Sequence, residues 1–341
     1  MSNIVLLSRS ILSAKAGNTV SRSLLCGIFT QTTGSIPAHR LQDSFQRIKW
    51  RHITAERSAD IFGLSFLMRS VNTFLIGLAI FLLLLSIGCA DRLARVLLFY
   101  PTKYTQNLST ATFEEVQFQN SKKQTLYGVY FPYQKINPHE LPIGTILYAH
   151  GNGDNVSWLL DFAGQLRSDF RCNVLIFDYA GYGKSEGKPT APGILDDGLA
   201  ALTYLNQQQG IPMNQIIVYG MSLGGSVAID LASKHEVKAL IVESSFTSLG
   251  EMGHKMIPFF PAEYFLWEQL PSIQKIGRVR CPVFISHGRA DQVIPFSQGE
   301  RLFEAANEPK TFFIPPEGWD NHSAPHGAEH REAMRKFFNS L

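Results

Sequence analysis

The sequence predicts a doubly wound α/β domain, a mostly parallel eight-stranded sheet with helices on both faces. Short apolar runs rich in Val, Ile, Leu and Phe recur at 145–149, 173–177, 215–219, 239–242, 282–286 and 311–314. Helix-length stretches at 158–168, 193–208, 225–234, 297–306 and 329–338 lie between and after them. Continuous apolar strands that alternate with helices imply strands buried on both faces, hence a parallel sheet. Right-handed crossovers then leave few topologies. Ahead of these runs, 113–118 and 125–131 alternate apolar and polar residues around the polar 119–123. That is the pattern of an antiparallel hairpin.

The chain has 341 residues, 45% hydrophobic and 17% charged. One α/β domain of about 230 residues plus a leader accounts for this length and can bury a full core. Lys and Arg number 31 against 28 Asp and Glu, a formal net charge of +3, and they form no long run. A nucleic-acid partner calls for clustered basic residues, so none is expected. The four cysteines, Cys26, Cys89, Cys172 and Cys281, show no metal-ligand spacing. No structural zinc site is expected.

Residues 1–67 are rich in Ser and Arg without a hydrophobic period. They read as a weakly ordered tail or as a mis-assigned leader, with Met68 a plausible true start. Residues 71–90, VNTFLIGLAIFLLLLSIGCA, hold 20 residues with no charge. About 20 apolar residues cross a bilayer as a helix. Arg69 and further Lys and Arg precede the segment, which places the N-terminus in the cytoplasm and the following domain outside. The run through Gly88 to Cys89 also resembles a bacterial lipoprotein signal. A spanning helix and a lipid anchor at Cys89 both stay open. The domain then runs from 91 to 341.

The most specific motif is Gly220-Met221-Ser222-Leu223-Gly224. It follows the apolar run at 215–219 and precedes a helical stretch, the strand, turn and helix context of a nucleophile elbow. The tight turn forces the serine into a strained backbone, and the flanking glycines remove side chains that would clash there. A serine at a helix N-terminus also meets N–H groups that favour developing negative charge. A hydroxyl needs a base, and the base needs a carboxylate to orient it. Asp291 follows the run at 282–286 in a Gly-containing loop. It lies beyond the carboxyl end of a strand, where open α/β sheets build their sites.

These stretches together resemble an α/β hydrolase of the Bem46-like, serine aminopeptidase S33-like group. The matching motifs are His150-Gly151-Asn152-Gly153, Asp178 through Gly187 (DYAGYGKSEG), Gly220 through Gly224, and His287-Gly288-Arg289-Ala290-Asp291. The resemblance covers roughly residues 97–341. It implies hydrolysis of an ester, thioester or amide through Ser222, Asp291 and a histidine, without metal or cofactor, and a small-molecule or lipid-like acyl substrate. Some members resembling this chain act on lipid-modified proteins.

In such enzymes the histidine follows the last strand. Here the turn reads Pro315-Pro316-Glu317-Gly318-Trp319-Asp320-Asn321-His322, with the histidine after the asparagine where the family places it before. His322 is the expected base and His326, in the same loop, the alternative. His330 falls in the final helix. The oxyanion hole is expected from the backbone N–H groups of Leu223 and Asn152. His150, the 178–187 loop, Glu243 and Ser245 read as structural. The insertion at 246–279, with Met252, Phe259, Phe260, Phe265 and Trp267, is either a short flap over an apolar pocket or core packing; it is too short for a full cap. Cys172 and Cys281 start strands four apart in this fold, about 19 Å at the usual spacing. That exceeds disulfide reach, so both are expected free. A serine peptidase and a catalytically silent membrane-tethered scaffold are the alternatives to an esterase or thioesterase.

Overall fold

A computed structural model describes residues 76–77, 99–104, 112–134, 139–256, 270–316 and 327–341. The chain divides into two units, 1–83 and 84–341. Apart from Ile76 and Gly77, the described residues belong to the second. The apolar segment at 71–90 otherwise lies outside the described residues, and no described helix is long and apolar enough to cross a membrane.

Eight strands form one sheet: β1 (Glu114–Gln119), β2 (Thr125–Phe131), β3 (Thr145–Ala149), β4 (Asn173–Phe177), β5 (Ile216–Met221), β6 (Ala239–Glu243), β7 (Val283–Ser286) and β8 (Lys310–Phe313). Their spatial order is β1-β2-β4-β3-β5-β6-β7-β8. The predicted hairpin forms, with β2 antiparallel to both β1 and β4 and the other neighbours parallel. Every apolar run therefore becomes a strand, to within two residues.

Seven helices are described: α1 (Leu160–Phe170), α2 (Ala191–Thr203), α3 (Leu223–Lys234), α4 (Leu249–Met256), α5 (Ser272–Ile276), α6 (Phe296–Ala305) and α7 (Ala328–Asn339). Two expected helix starts shift for local reasons. α2 begins at Ala191 because the Thr190 side chain accepts from Gly193 N–H, with Pro192 in the first turn. It continues through a wider turn over Tyr204–Gln208, where Gln209 N–H reaches Tyr204 O at 3.1 Å. α3 begins at Leu223, not at 225, because Ser222 itself is its N-cap.

Alternate strand residues feed two cores, as the pleat requires. Ile216 and Val218 of β5 join the helices α2, α3 and α6 on one face. Ile217 and Tyr219 join α1 and α7 on the other. The parallel register aligns Ala149 with Gly220, Met221 with Glu243, and Glu243 with Ser286. The loops after β3, β5, β6 and β7 thus leave the sheet along one edge. Phe246, Leu249, Met252 and Leu270, at the two ends of the insertion, pack into the core; residues 257–269, with Phe259, Phe260, Phe265 and Trp267, lie outside the described residues. Cys172 and Cys281 are free, just ahead of β4 and β7, strands four positions apart.

Candidate functional site

Ser222 occupies φ 54°, ψ −114°, a region that costs a non-glycine residue of order 1–3 kcal/mol. The turn is held from several sides. Ser222 N–H donates to Glu243 O at 2.8 Å. Its carbonyl accepts from Gly225 N–H at 3.0 Å and from the Ser245 hydroxyl at 2.8 Å. Ser245, read as structural, therefore braces the nucleophile turn. The glycines serve close approach. A Cβ at Gly220 would overlap the Gly224 carbonyl, one at Gly224 would overlap the Ala149 carbonyl, and one at Gly225 would overlap Ser245 Oγ. Ser222 is half-buried and Leu223 buried. Leu223 is the first residue of α3, and the first N–H groups of a helix have no intrahelical acceptor.

The loop after β3 comes against this turn. A Cβ on Gly151 would stand 3.8 Å from Ser222 Cβ, so Asn152 follows directly on the residue beside the serine. Asn152 Oδ1 accepts from Tyr182 OH at 2.7 Å and from Tyr100 N–H at 3.0 Å. His150 is buried, and its Nδ1 lies 2.8 Å from Gly151 O, which requires that nitrogen to donate. Burial lowers its pKa to about 4, so it is neutral at pH 7. Tyr179 OH donates to His150 O at 2.9 Å. Buried Asp178 accepts from Val156 N–H at 2.8 Å and Lys184 N–H at 3.2 Å; burial raises its pKa to about 6 against those bonds. The 178–187 loop is thus a brace for the loop after β3, in keeping with its structural reading.

Asp291 follows β7, two strands from β5 and about 10 Å along the sheet. Its Oδ1 accepts from Val293 N–H at 2.9 Å and Ile294 N–H at 2.8 Å. Its Oδ2 is buried without a hydrogen-bond partner among the described residues. His287 Nε2 stands 3.4 Å from that oxygen, but faces Ile294 O at 3.0 Å. A carbonyl only accepts, so the Nε2 proton goes there, and the ring, fully buried, fixes the loop. The geometry leaves Asp291 Oδ2 available to a further donor. His322 and His326 lie outside the described residues, in the connection from β8 to α7.

Sequence reasoning read Glu243 as structural and found it no partner. The residue is buried, and its Oε1 lies 2.6 Å from Nε2 of buried His330 on α7. The signal was present in part. A carboxylate closing the apolar run Ala239-Leu240-Ile241-Val242 has to be paired. His330 shares the helical spacing of Met334, Phe337 and Phe338, the buried stripe of α7. A cavity of about 770 Å³, lined among others by Lys234, His235, Arg278 and Arg280, opens at the amino ends of β6 and β7, away from Ser222.

Residues 146–333 match the model of the Alpha/beta hydrolase family. The chain is 30% identical over 267 residues to the uncharacterized protein YfhR of Escherichia coli K12, covering 76% of this chain and 93% of that protein. It is 37% identical over 167 residues to the human Alpha/beta hydrolase domain-containing protein 17B, covering 48% and 56%. Among solved structures, an esterase of Pyrococcus furiosus superposes with a TM-score of 0.58 at 18% identity, covering 71% of this chain and 97% of that one. An acetyl xylan esterase from Paenibacillus sp. R4 gives 0.55 at 16%, covering 70% and 87%.

Proposed function

Since this chain belongs to the alpha/beta hydrolase family, we propose that it is a serine hydrolase that cleaves carboxylic esters or thioesters through an acyl-enzyme. The observation that carries this is Ser222: a serine in a positive-φ turn at the N-terminus of a buried twelve-residue helix. Such strain persists only where the surroundings over-determine it, and it clusters at functional sites. Esterase is also the activity named for the Pyrococcus furiosus and Paenibacillus structures.

In this reading His322, or His326 from the same loop, takes the proton of Ser222 Oγ as the oxygen attacks the substrate carbonyl carbon. Asp291 Oδ2 accepts from that imidazole and stabilises its charged form. The N–H groups of Leu223 and Asn152 receive the oxyanion. The histidine returns the proton to the leaving alcohol or thiol. Water then repeats the sequence on the acyl-enzyme and releases the acid. This chemistry calls for no metal or cofactor. The apolar residues 71–90 hold the domain, 91–341, on the outer side of a membrane, as a spanning helix or through lipid on Cys89.

The test is labelling of the full chain in detergent with a fluorophosphonate, beside Ser222→Ala, together with turnover of a p-nitrophenyl ester panel. Labelling and turnover present in the wild type and both lost in the variant are expected. A folded wild-type chain that neither labels nor turns over any ester would leave the silent scaffold as the better reading.

A further inference from the structure

We propose that residues 99–104 are a strap that positions the oxyanion loop, and that Thr102 and Tyr182 thereby set the rate of acyl transfer without touching substrate. The strap precedes every residue matched by the family model, which begins at 146. The proposal rests on the serine-hydrolase reading above.

The loop at 150–154 has few restraints of its own, His150 Nδ1 on Gly151 O at 2.8 Å among them. Gly151 and Gly153 remove side-chain restraint, and Gly153 sits at φ 95°, so the loop loses much freedom when it is ordered. Its internal backbone bond, Asp154 N–H to Gly151 O, is long at 3.4 Å. The holding groups come from elsewhere. Tyr100 N–H donates to Asn152 Oδ1 at 3.0 Å. Thr102 Oγ1 donates to Gly153 O at 2.9 Å and accepts from Asn155 Nδ2 at 2.8 Å, so both of its capacities are used. Asn155 Nδ2 also reaches Lys103 O at 3.3 Å.

The strap is in turn pinned to the loop after β4. Gly183 N–H donates to Thr102 O at 2.8 Å, and Lys103 Nζ reaches Gly181 O at 3.4 Å. Lys103 pairs with Gly183 as an isolated parallel bridge, and Phe99 anchors the end in the core at 4% exposure. Tyr182, from that same loop, closes the ring with its hydroxyl on Asn152 Oδ1 at 2.7 Å. Asn152 is therefore gripped through its side chain from two segments, directly after Gly151, which lies against the serine turn. An oxyanion donor acts only when placed to within a fraction of an ångström, so these grips bear on the transition state more than on ground-state binding.

The experiment uses Thr102→Val, which keeps the shape and removes both hydroxyl bonds, and Tyr182→Phe, each in the full chain. Active Ser222 is counted by fluorophosphonate titration, so that turnover is expressed per labelled serine and unfolded molecules drop out. The expected result is a kcat lower by about tenfold in each variant with KM within twofold of wild type. The Ki of a trifluoromethyl ketone, whose serine adduct carries the oxyanion, should rise by the same factor. Wild-type values of kcat per labelled serine and Ki in both variants would overturn the strap's role. A wild-type chain that fails to label or turn over removes the hydrolase reading itself, and the strap's kinetic role with it.

Discussion

Asp197 carries its carboxylate inside the fold, with Asn120 Nδ2 on one oxygen at 2.8 Å and Ala180 N–H on the other at 2.8 Å. Burial raises its pKa from 3.8 to about 6 despite these bonds. A raised folded pKa means that the native state holds the proton more tightly than the unfolded chain. The stability this contributes is fully present below pH 3.8 and is lost as pH rises through about 6. Asp197→Asn removes the titration and keeps the shape. Relative to wild type, its unfolding free energy should therefore improve by about 2 kcal/mol between pH 4 and pH 7. Urea denaturation at the two pH values measures this, and a constant difference between the proteins would refute it. His150 works the other way. Its pKa is lowered to about 4 by burial, so its contribution is complete above pH 6.5 and is lost as pH falls through 4.

A buried polar contact ties α7 to the sheet, His330 Nε2 on Glu243 Oε1, between side chains that are 3% and 2% exposed. Glu243 also supplies the carbonyl that holds Ser222 N–H. Removing one partner of a buried pair typically costs about 3 kcal/mol or more. His330→Ala is expected to lose that much by urea denaturation, with a slower rate of Ser222 labelling, because the helix it anchors follows directly on the loop of His322 and His326. An unchanged midpoint would mean that other groups sustain the Glu243 carboxyl. This contact shows where sequence reading stops. The strands announced themselves because each apolar run is a local pattern, and the elbow because glycine spacing and serine sit within five residues. Glu243 and His330 meet only through the register of β6 and the packing of α7, which no local pattern encodes. The strap at 99–104 left no signal either, since its grip is made largely by backbone groups and one threonine hydroxyl. Asp291 was legible from its place after a strand, while its two N–H donors and the brace of His287 on Ile294 O needed coordinates.

The molecule as a whole combines a sheet edge that gathers four loops with an apolar segment that precedes it in the chain. If residues 71–90 anchor the protein as proposed, the full chain stays in the pellet of membranes washed with alkaline carbonate. The domain from 91 onward is then digested by protease added to intact cells; its protection would place it on the cytoplasmic side instead. The two cysteines of the sheet play no part in such an anchor. Burial pushes the Cys172 thiol up to about 12 and that of Cys281 to about 11, so neither forms a thiolate readily at neutral pH. The strap has a consequence of another kind, one of occupancy. Apart from Phe99, the other five residues lie at the surface or only partly covered, and segments with few buried contacts open at free energies far below that of global unfolding. An opening that costs about 1.4 kcal/mol leaves roughly one molecule in ten detached at any moment. Measured activity is then the rate of the closed form multiplied by the fraction closed. Warming drains that fraction first, while the eight strands beneath it are still intact.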